Sequence, residues 1–334
     1  MHILRFLLLV SFLLLGTLIH SQNTLVDSLI DQAVAWREKG NAELALRELD
    51  PLVVAKDANE RALYELALTH MQLEHYTLAI GPAKRVLSLK GAHRVDAALV
   101  LGQCYVARGE YKRAQRLFKS LSDVALVDER IPYQRAVLYL KMGQHDAAEA
   151  EVQKAILLNR TFVDAHLLLS NIMLEKGERI KAMLPLYYYL LLDNDGENGA
   201  LAGKQLIQLW KFSSGRVLGM LNRGSSKDLY HQAGQYINTI STDDSISTLQ
   251  GSAAISLLSQ HTTRLFGFFK EHSGDNFDFY QLVYIDFFTE LHTKGYVEPM
   301  VYFISNAQWH PQVLEWIAGN GQKFNEFRVW MESR

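Results

Sequence analysis

Glu271, Glu290 and Glu298 are the carboxylates from which a wall-active hydrolase would be built, since two of them facing a glycosidic bond can serve as general acid and general base. All three fall in the C-terminal third of the chain, and none stands in a motif that separates it from an ordinary solvated glutamate. The twelve histidines are scattered, and no two have the His-Glu-x-x-His spacing that sets a zinc pair on one helix face. His70 and His75 lie five residues apart across an expected helix end, a spacing that does not converge on one metal. Gly215, Gly219 and Gly224 lack the lysine and hydroxyl of a phosphate-cradling loop and read as breaks between short helices. A Gly-x-Ser-x-Gly elbow is missing. Cys104, the single cysteine, sits beside Gly102 and Tyr105 with no neighbour to lower its pKa, so it reads as a small buried apolar residue. The expectation is therefore a protein with no catalytic residues, no metal site and no cofactor.

What the chain does repeat is steric. Gly109, Gly143 and Gly177 fall at 34-residue intervals, each closing a helix-like run, and the register extends back to Glu74 and Gly40 with one extra residue between the second and third units. The units start at Val26, Glu60, Val95, Glu129 and Val163. Position 8 is then Ala33, Ala67, Gly102, Ala136 and Ser170, and position 20 is Ala45, Ala79, Ala114, Ala148 and Ala182. Small residues at two recurring places predict a pair of helices, A and B, crossing where the two positions meet. A glycine closing helix A suits the left-handed residue that reverses the chain.

These positions resemble the tetratricopeptide repeat, a helix–turn–helix unit of this period. The third unit matches it best, with Leu101, Gly102, Tyr105, Ala114 and Phe118; the fourth offers Ala136, Tyr139, Ala148 and Ala155, and the first Ala33, Trp36, Ala45 and Leu49. The closing proline is missing from every unit, and Glu74 replaces glycine in the second. The resemblance implies an all-α fold: a right-handed α-solenoid of helix–turn–helix repeats over residues 22–196, continued by degenerate helical pairs over 197–334. It also implies that A helices line a concave groove with positions 2, 5, 9 and 12 pointing into it. On this chain those places give Tyr64, Leu68, Met71, Leu99, Gln103, Tyr133, Val137, Leu167 and Asn171 as the partner-binding residues, an apolar trough with Gln103 and Asn171 as its polar features. The lysine, asparagine and arginine clamp of chaperone-binding members is replaced by tyrosine, leucine and valine, so capture of a terminal carboxylate is not expected.

The flanking segments complete the reading. Arg5 followed by the greasy run Phe6 to Ile19 reads as a signal peptide over residues 1–21, too short for a bilayer core of about 30 Å. Its Ser-Gln junction resembles those of exported Bacteroidetes proteins. Net charge is −2, and no basic cluster in the repeats is longer than Lys112-Arg113, so nucleic acid is not expected as a partner. Asp50-Pro51 and Gly81-Pro82 are placed near helix starts. The run Leu186 to Leu192 is apolar on every side and must be covered on every side, by the C-terminal third. Asp193 to Gly199 reads as the boundary. Beyond it, Leu201 to Phe212, Leu229 to Ile240, Leu249 to Phe269 and Phe277 to Leu291 carry helical spacing. Lys294-Gly295-Tyr296 echoes the repeat turn, with Phe288 and Met300 in place of the small residues. Seventeen of the 35 aromatics lie between Phe266 and Trp330; most fit a core, while Trp309 and Trp330 are candidates for an exposed docking patch.

The expected protein is a non-enzymatic interaction scaffold or adaptor of the bacterial envelope, exported to the periplasm, with a protein or peptide partner in its groove. The trough is either open to that partner or filled intramolecularly by curvature or the C-terminal helices. The alternatives are a structural component of an outer-membrane assembly or secretion machine, a membrane-protein complex docked through the aromatic C-terminal region, and a cell-wall hydrolase.

Overall fold

Six chain reversals share one hydrogen-bond pattern. After each A helix the backbone N–H of the residue following the turn donates back five residues: Asn41 to Trp36, His75 to His70, Glu110 to Tyr105, Gln144 to Tyr139, Glu178 to Met173 and Tyr296 to Leu291, at 2.8–3.0 Å. This is the Schellman closure, which requires a left-handed residue at its corner. Gly40, Gly109, Gly143, Gly177 and Gly295 supply it with φ between 70° and 81°, and Glu74 adopts it too, at φ 59°. The turn expected at Gly295 is thus a true sixth copy.

The computed structural model describes residues 24–54, 59–211, 228–240, 250–274 and 278–334. Every regular element among them is helical, so the expected all-α fold of helix–turn–helix repeats is the observed one. Residues 1–21, expected to form a signal peptide, and Gly215, Gly219 and Gly224 lie outside the described residues. The chain divides into two compact units, one ending at Ala125 and the other beginning at Leu126.

The first unit holds three A/B pairs: α1 (24–38) with α2 (Ala42–Leu49), α3 (Glu60–Gln72) with α4 (Tyr76–Leu89), and α5 (Arg94–Ala107) with α6 (Tyr111–Lys119). The Asn59 side chain caps α3 by accepting from the N–H groups of Arg61 and Ala62 at 2.8 and 3.3 Å. Positions 8 and 20 are fully buried here, as Ala33, Ala67, Ala45, Ala79 and Ala114 show. Gly102 opposes Phe118, whose ring fills the room that a side chain at position 8 would take. Pro51 begins a 3-10 turn over Asp50–Val53, whereas Pro82 lies inside α4 and not near its start. Its missing N–H leaves one carbonyl of that helix without its usual donor.

The second unit opens with the fourth and fifth pairs, α7 (Arg130–Lys141) with α8 (His145–Leu158) and α9 (Val163–Lys176) with α10 (Arg179–Leu192). It continues through α11 (Gly196–Lys211), α12 (Leu229–Ile240), α13 (Gly251–His272), α14 (Asp286–Thr293), α15 (Val297–Ile304), α16 (Asn306–Gly319) and α17 (Gly321–Glu332). A π-helical turn, Gln281–Ile285, leads into α14 and buries Val283, Tyr284 and Ile285, a local irregularity the helical spacing does not reveal. One core runs from Ala136 to Phe327, so the 193–199 stretch is a connection inside this unit.

α10 is the axis of that core. From Ile180 to Leu191 only Lys181 and Tyr188 are not buried, and the cover comes from the C-terminal helices, as its composition requires. Tyr187 is wholly buried with its ring edge on Phe266 and Phe288, at 5.5 and 5.9 Å. Thr262 donates its only hydroxyl proton to the Leu258 carbonyl, so Tyr187 donates to Thr262 and accepts from the Trp210 indole, at 2.7 and 2.9 Å. Arg179 opens α10 with a buried guanidinium that donates to the Leu209 and Trp210 carbonyls and to Asn238. These carbonyls belong to the last described turn of α11. Burial lowers the Arg179 pKa to about 10, which leaves it charged at neutral pH. The positions equivalent to the small pair in the sixth turn, Phe288 and Met300, are fully buried.

Candidate binding faces

The A helices carry the residues expected to meet a partner, and the two units present them separately. In the first unit Tyr64, Leu68 and Met71 on α3 and Gln103 on α5 are half-buried. Leu99 is not part of that face: it is 7% exposed, within a stretch of α5 buried without a break from Ala97 to Val106 apart from Gln103. A middle A helix is packed by helices on several sides, and position 5 falls into that packing here. In the second unit Tyr133 and Val137 on α7 and Leu167 on α9 are half-buried, and Asn171 is exposed.

Polar cross-links run along these faces. Arg61 pairs with Asp31 at 2.6 Å and Arg37 with Glu65 at 3.1 Å, joining α1 to α3. The Tyr64 ring stacks on His93 at 4.8 Å, and Glu60 accepts the His93 N–H at 2.8 Å, joining α3 to the start of α5. A side chain at Gly91 would collide with that same Glu60 carboxylate. Arg37 and Arg61 of this face are thus matched by carboxylates, beside the apolar and aromatic Tyr64, Leu68 and Met71. In the second unit Tyr133 packs on Phe162 at 5.0 Å. Burial, helped by the Asp164 carboxylate, raises the Tyr133 hydroxyl to about 12, so it stays a proton donor. Asn171 accepts from Gln205 of α11 at 3.3 Å, so that polar place is already engaged by the chain itself.

His166 is a site residue the sequence did not single out. It is fully buried, with Nε2 against the Arg160 carbonyl and Nδ1 against the Tyr284 hydroxyl, both at 2.8 Å. The carbonyl can only accept, so Nε2 carries the proton and Nδ1 accepts from Tyr284. The Tyr188 ring lies 4.7 Å away. Burial lowers the His166 pKa to about 4, against the opposing pull of the Arg160 carbonyl. Tyr284 is 118 residues distant in sequence, and no local pattern could have linked the two.

The other candidates disperse. Glu290 accepts from the Trp330 indole and pairs with Arg334, Glu298 pairs with Lys323 at 2.6 Å, and Glu271 is exposed. A polar recess of about 550 Å³ beside Glu290 is also lined by Lys270, Asp286 and Thr289. The hydroxyls of Thr289 and Thr293 there donate to helix carbonyls. Cys104 is buried and its thiol is pushed up to about 11. The His70 and His75 rings are 6.0 Å apart. Among the described residues no three His, Cys, Asp or Glu side chains converge as a metal site would need. Nor, among them, is any helix long and apolar enough to cross a membrane.

The aromatic patch is internal. Among the described residues no aromatic is found with the exposed large hydrophobic side chains. Trp330 packs on Phe287 and Tyr296 at 5.4 and 5.8 Å, and Trp309 is half-buried against the core.

Residues 130–162, the fourth helix pair, match the tetratricopeptide repeat family. A tetratricopeptide repeat and J domain-containing co-chaperone of Cryptococcus neoformans var. grubii is 30% identical over 92 residues, which cover 28% of this chain and 18% of that protein. This chain therefore spans less than a fifth of that relative's length. Solved structures of similar fold include a thermophilic tetratricopeptide protein of Thermus thermophilus (TM-score 0.48, 19% identity, 55% of this chain and 98% of that one). Others are PilF of Pseudomonas aeruginosa (0.47, 17%, 63% and 96%) and MamA of Desulfovibrio magneticus (0.42, 21%, 50% and 94%).

Proposed function

We propose that this chain is a non-enzymatic scaffold of the bacterial envelope, exported to the periplasm, that binds an extended or amphipathic segment of a protein partner along its A-helix faces. The supporting observation is the row Tyr64, Leu68 and Met71 on α3, half-buried beside charges that are already paired, with a counterpart in Tyr133, Val137 and Leu167 of the second unit. Such a surface gains from covering apolar atoms and offers little that reacts. The match to the tetratricopeptide family supports a protein partner, and the greasy run 6–19 supports export. Among the described residues no C-terminal aromatic is fully exposed, which speaks against the alternative of a secretion or assembly component docked through them.

Site-specific photocrosslinking in the native envelope tests this. A photoreactive residue at Leu68 or Val137 is expected to give a discrete adduct that one at Glu326, on exposed α17, does not. Tyr64→Ser with Tyr133→Ser should remove the adduct while far-UV helicity is unchanged. Adducts unaffected by those substitutions, or found only from Glu326, would sink the proposal.

A further inference from the structure

The near-neutral charge of the whole chain hides a strongly basic region in the first unit. Between residues 76 and 122 there are nine Lys and Arg against two Asp and Glu. No two of the nine are neighbours except Lys84-Arg85 and Lys112-Arg113, so the segment does not read as a cluster. Folding assembles it. α6 buries Ala114 and Phe118 and turns Lys112, Arg113, Arg116 and Lys119 outward; steps of three and four residues put Lys112, Arg116 and Lys119 on one stripe. From α4, Lys84 approaches the Tyr105 ring at 6.0 Å, and from α6 Arg113 approaches the same ring at 5.9 Å, so the two helices bring their cations together. Arg108 extends the patch by bridging to Thr77 at the start of α4.

Little of this charge is neutralised. Glu110 holds Arg108 and Arg113 at 2.7 and 2.5 Å. Among the described residues no carboxylate pairs with Lys84, Lys112, Arg116 or Lys119; Arg116 reaches only the Lys112 carbonyl. Leu78 and Leu89 stand 57% and 49% exposed on α4, on the flank away from Lys84.

We propose that the outward face of α4 and α6 binds the surface of an anionic phospholipid bilayer. Flexible cations without preset acceptors suit a diffuse layer of phosphate headgroups. A single-stranded nucleic acid would call for exposed aromatic platforms among the cations, but Tyr105 is buried beneath them and Tyr111 is half-buried; a duplex is an outcome of the test below. This face is formed by B helices and is independent of the A-helix reading above.

The test is flotation of the full chain with phosphatidylcholine vesicles, neutral or with about 30% phosphatidylglycerol. The run 6–19, present in every variant, contributes to both vesicle types alike. Binding should favour the anionic vesicles and fall when salt screens the charges. Each cation near such a surface is expected to contribute about fivefold, so Lys112→Gln, Arg116→Gln and Lys119→Gln together should weaken anionic binding about a hundredfold. Lys112→Arg with Lys119→Arg should preserve it. If the triple variant loses helicity, the single variants carry the measurement. Equal binding to neutral vesicles, an unaffected triple variant, or preference for a short DNA duplex in the same buffer would each overturn the proposal.

Discussion

A Cβ placed on Gly102 would stand 2.2 Å from Cζ of Phe118, so the phenyl ring occupies the volume that glycine leaves empty. The two belong to one repeat, at positions 8 and 24. Position 24 is Leu49, Ala83, Val152 and Leu186 in the other units, all fully buried. The smallest residue at position 8 thus accompanies the largest at position 24. Gly102→Ala is expected to destabilise the first unit by about 1–3 kcal/mol through overpacking. Phe118→Leu in the same chain should recover part of that loss, because the two side chains share one space. Urea unfolding of the single and double variants gives the coupling; strict additivity would show that the ring does not fill the gap.

Glu74 occupies a corner that five glycines hold elsewhere, at φ 59°. A left-handed conformation costs an L-residue about 1–2 kcal/mol, partly offset by the greater freedom glycine has in the unfolded chain. Glu74→Gly should therefore stabilise the protein by about 0.5–1 kcal/mol, and Gly109→Ala should destabilise it by a similar amount. Thermal unfolding reads both signs, and a destabilised Glu74→Gly variant would contradict the account.

The repeat is legible in sequence because its constraints are local: an A/B pair needs a small residue at two places and a left-handed one at a third. The cover on α10 is legible for a related reason, since Leu186 to Leu192 leaves no polar side to face water. What escapes is whatever folding brings together from afar. Arg179 finds the end of α11 thirty residues on, and His166 meets Tyr284 across most of the second unit. The π-helical turn at Gln281–Ile285 escapes too, because helical spacing alone does not distinguish it from α-helix. Of the residues assigned to the A-helix faces, Leu99 fails because position 5 marks a direction, and packing decides what fills it.

His166 makes stability depend on pH. Its folded pKa of about 4 lies below the unfolded value of about 6.5, so between the two the unfolded chain binds more protons. The stabilisation is therefore complete above about pH 6.5, declines as pH falls through that window, and stops declining below about 4, for a total of about 3 kcal/mol. His261, lowered by burial and by Arg264, adds in the same direction. His166→Phe should lower stability at neutral pH, since the Tyr284 hydroxyl and the Arg160 carbonyl lose their partner, and should flatten the slope between pH 4 and 6.5. Denaturant titrations at several pH values check this. An unchanged slope would mean that the histidine is charged, or solvated, in the folded protein.

The polar stretch around Asn198 looks like a place to divide the chain, and the packing says otherwise. Removing everything after Asn198 would strip Trp210, Thr262, Phe266 and Phe288 from Tyr187, and leave the Arg179 guanidinium without its three acceptors. α10 would then offer Tyr187 and Leu190, now fully buried, to water, at about 1.5–3 kcal/mol for each side chain fully exposed. A chain ending at Asn198 is expected to bind a dye specific for exposed apolar surface, to associate at micromolar concentration, and to lose more helical signal than its missing residues account for. Replacing Leu190 by lysine in the truncated chain should improve solubility without restoring the lost helicity. A truncated chain that stays monomeric, dye-silent and proportionately helical would show that the fifth pair stands without the helices packed on it.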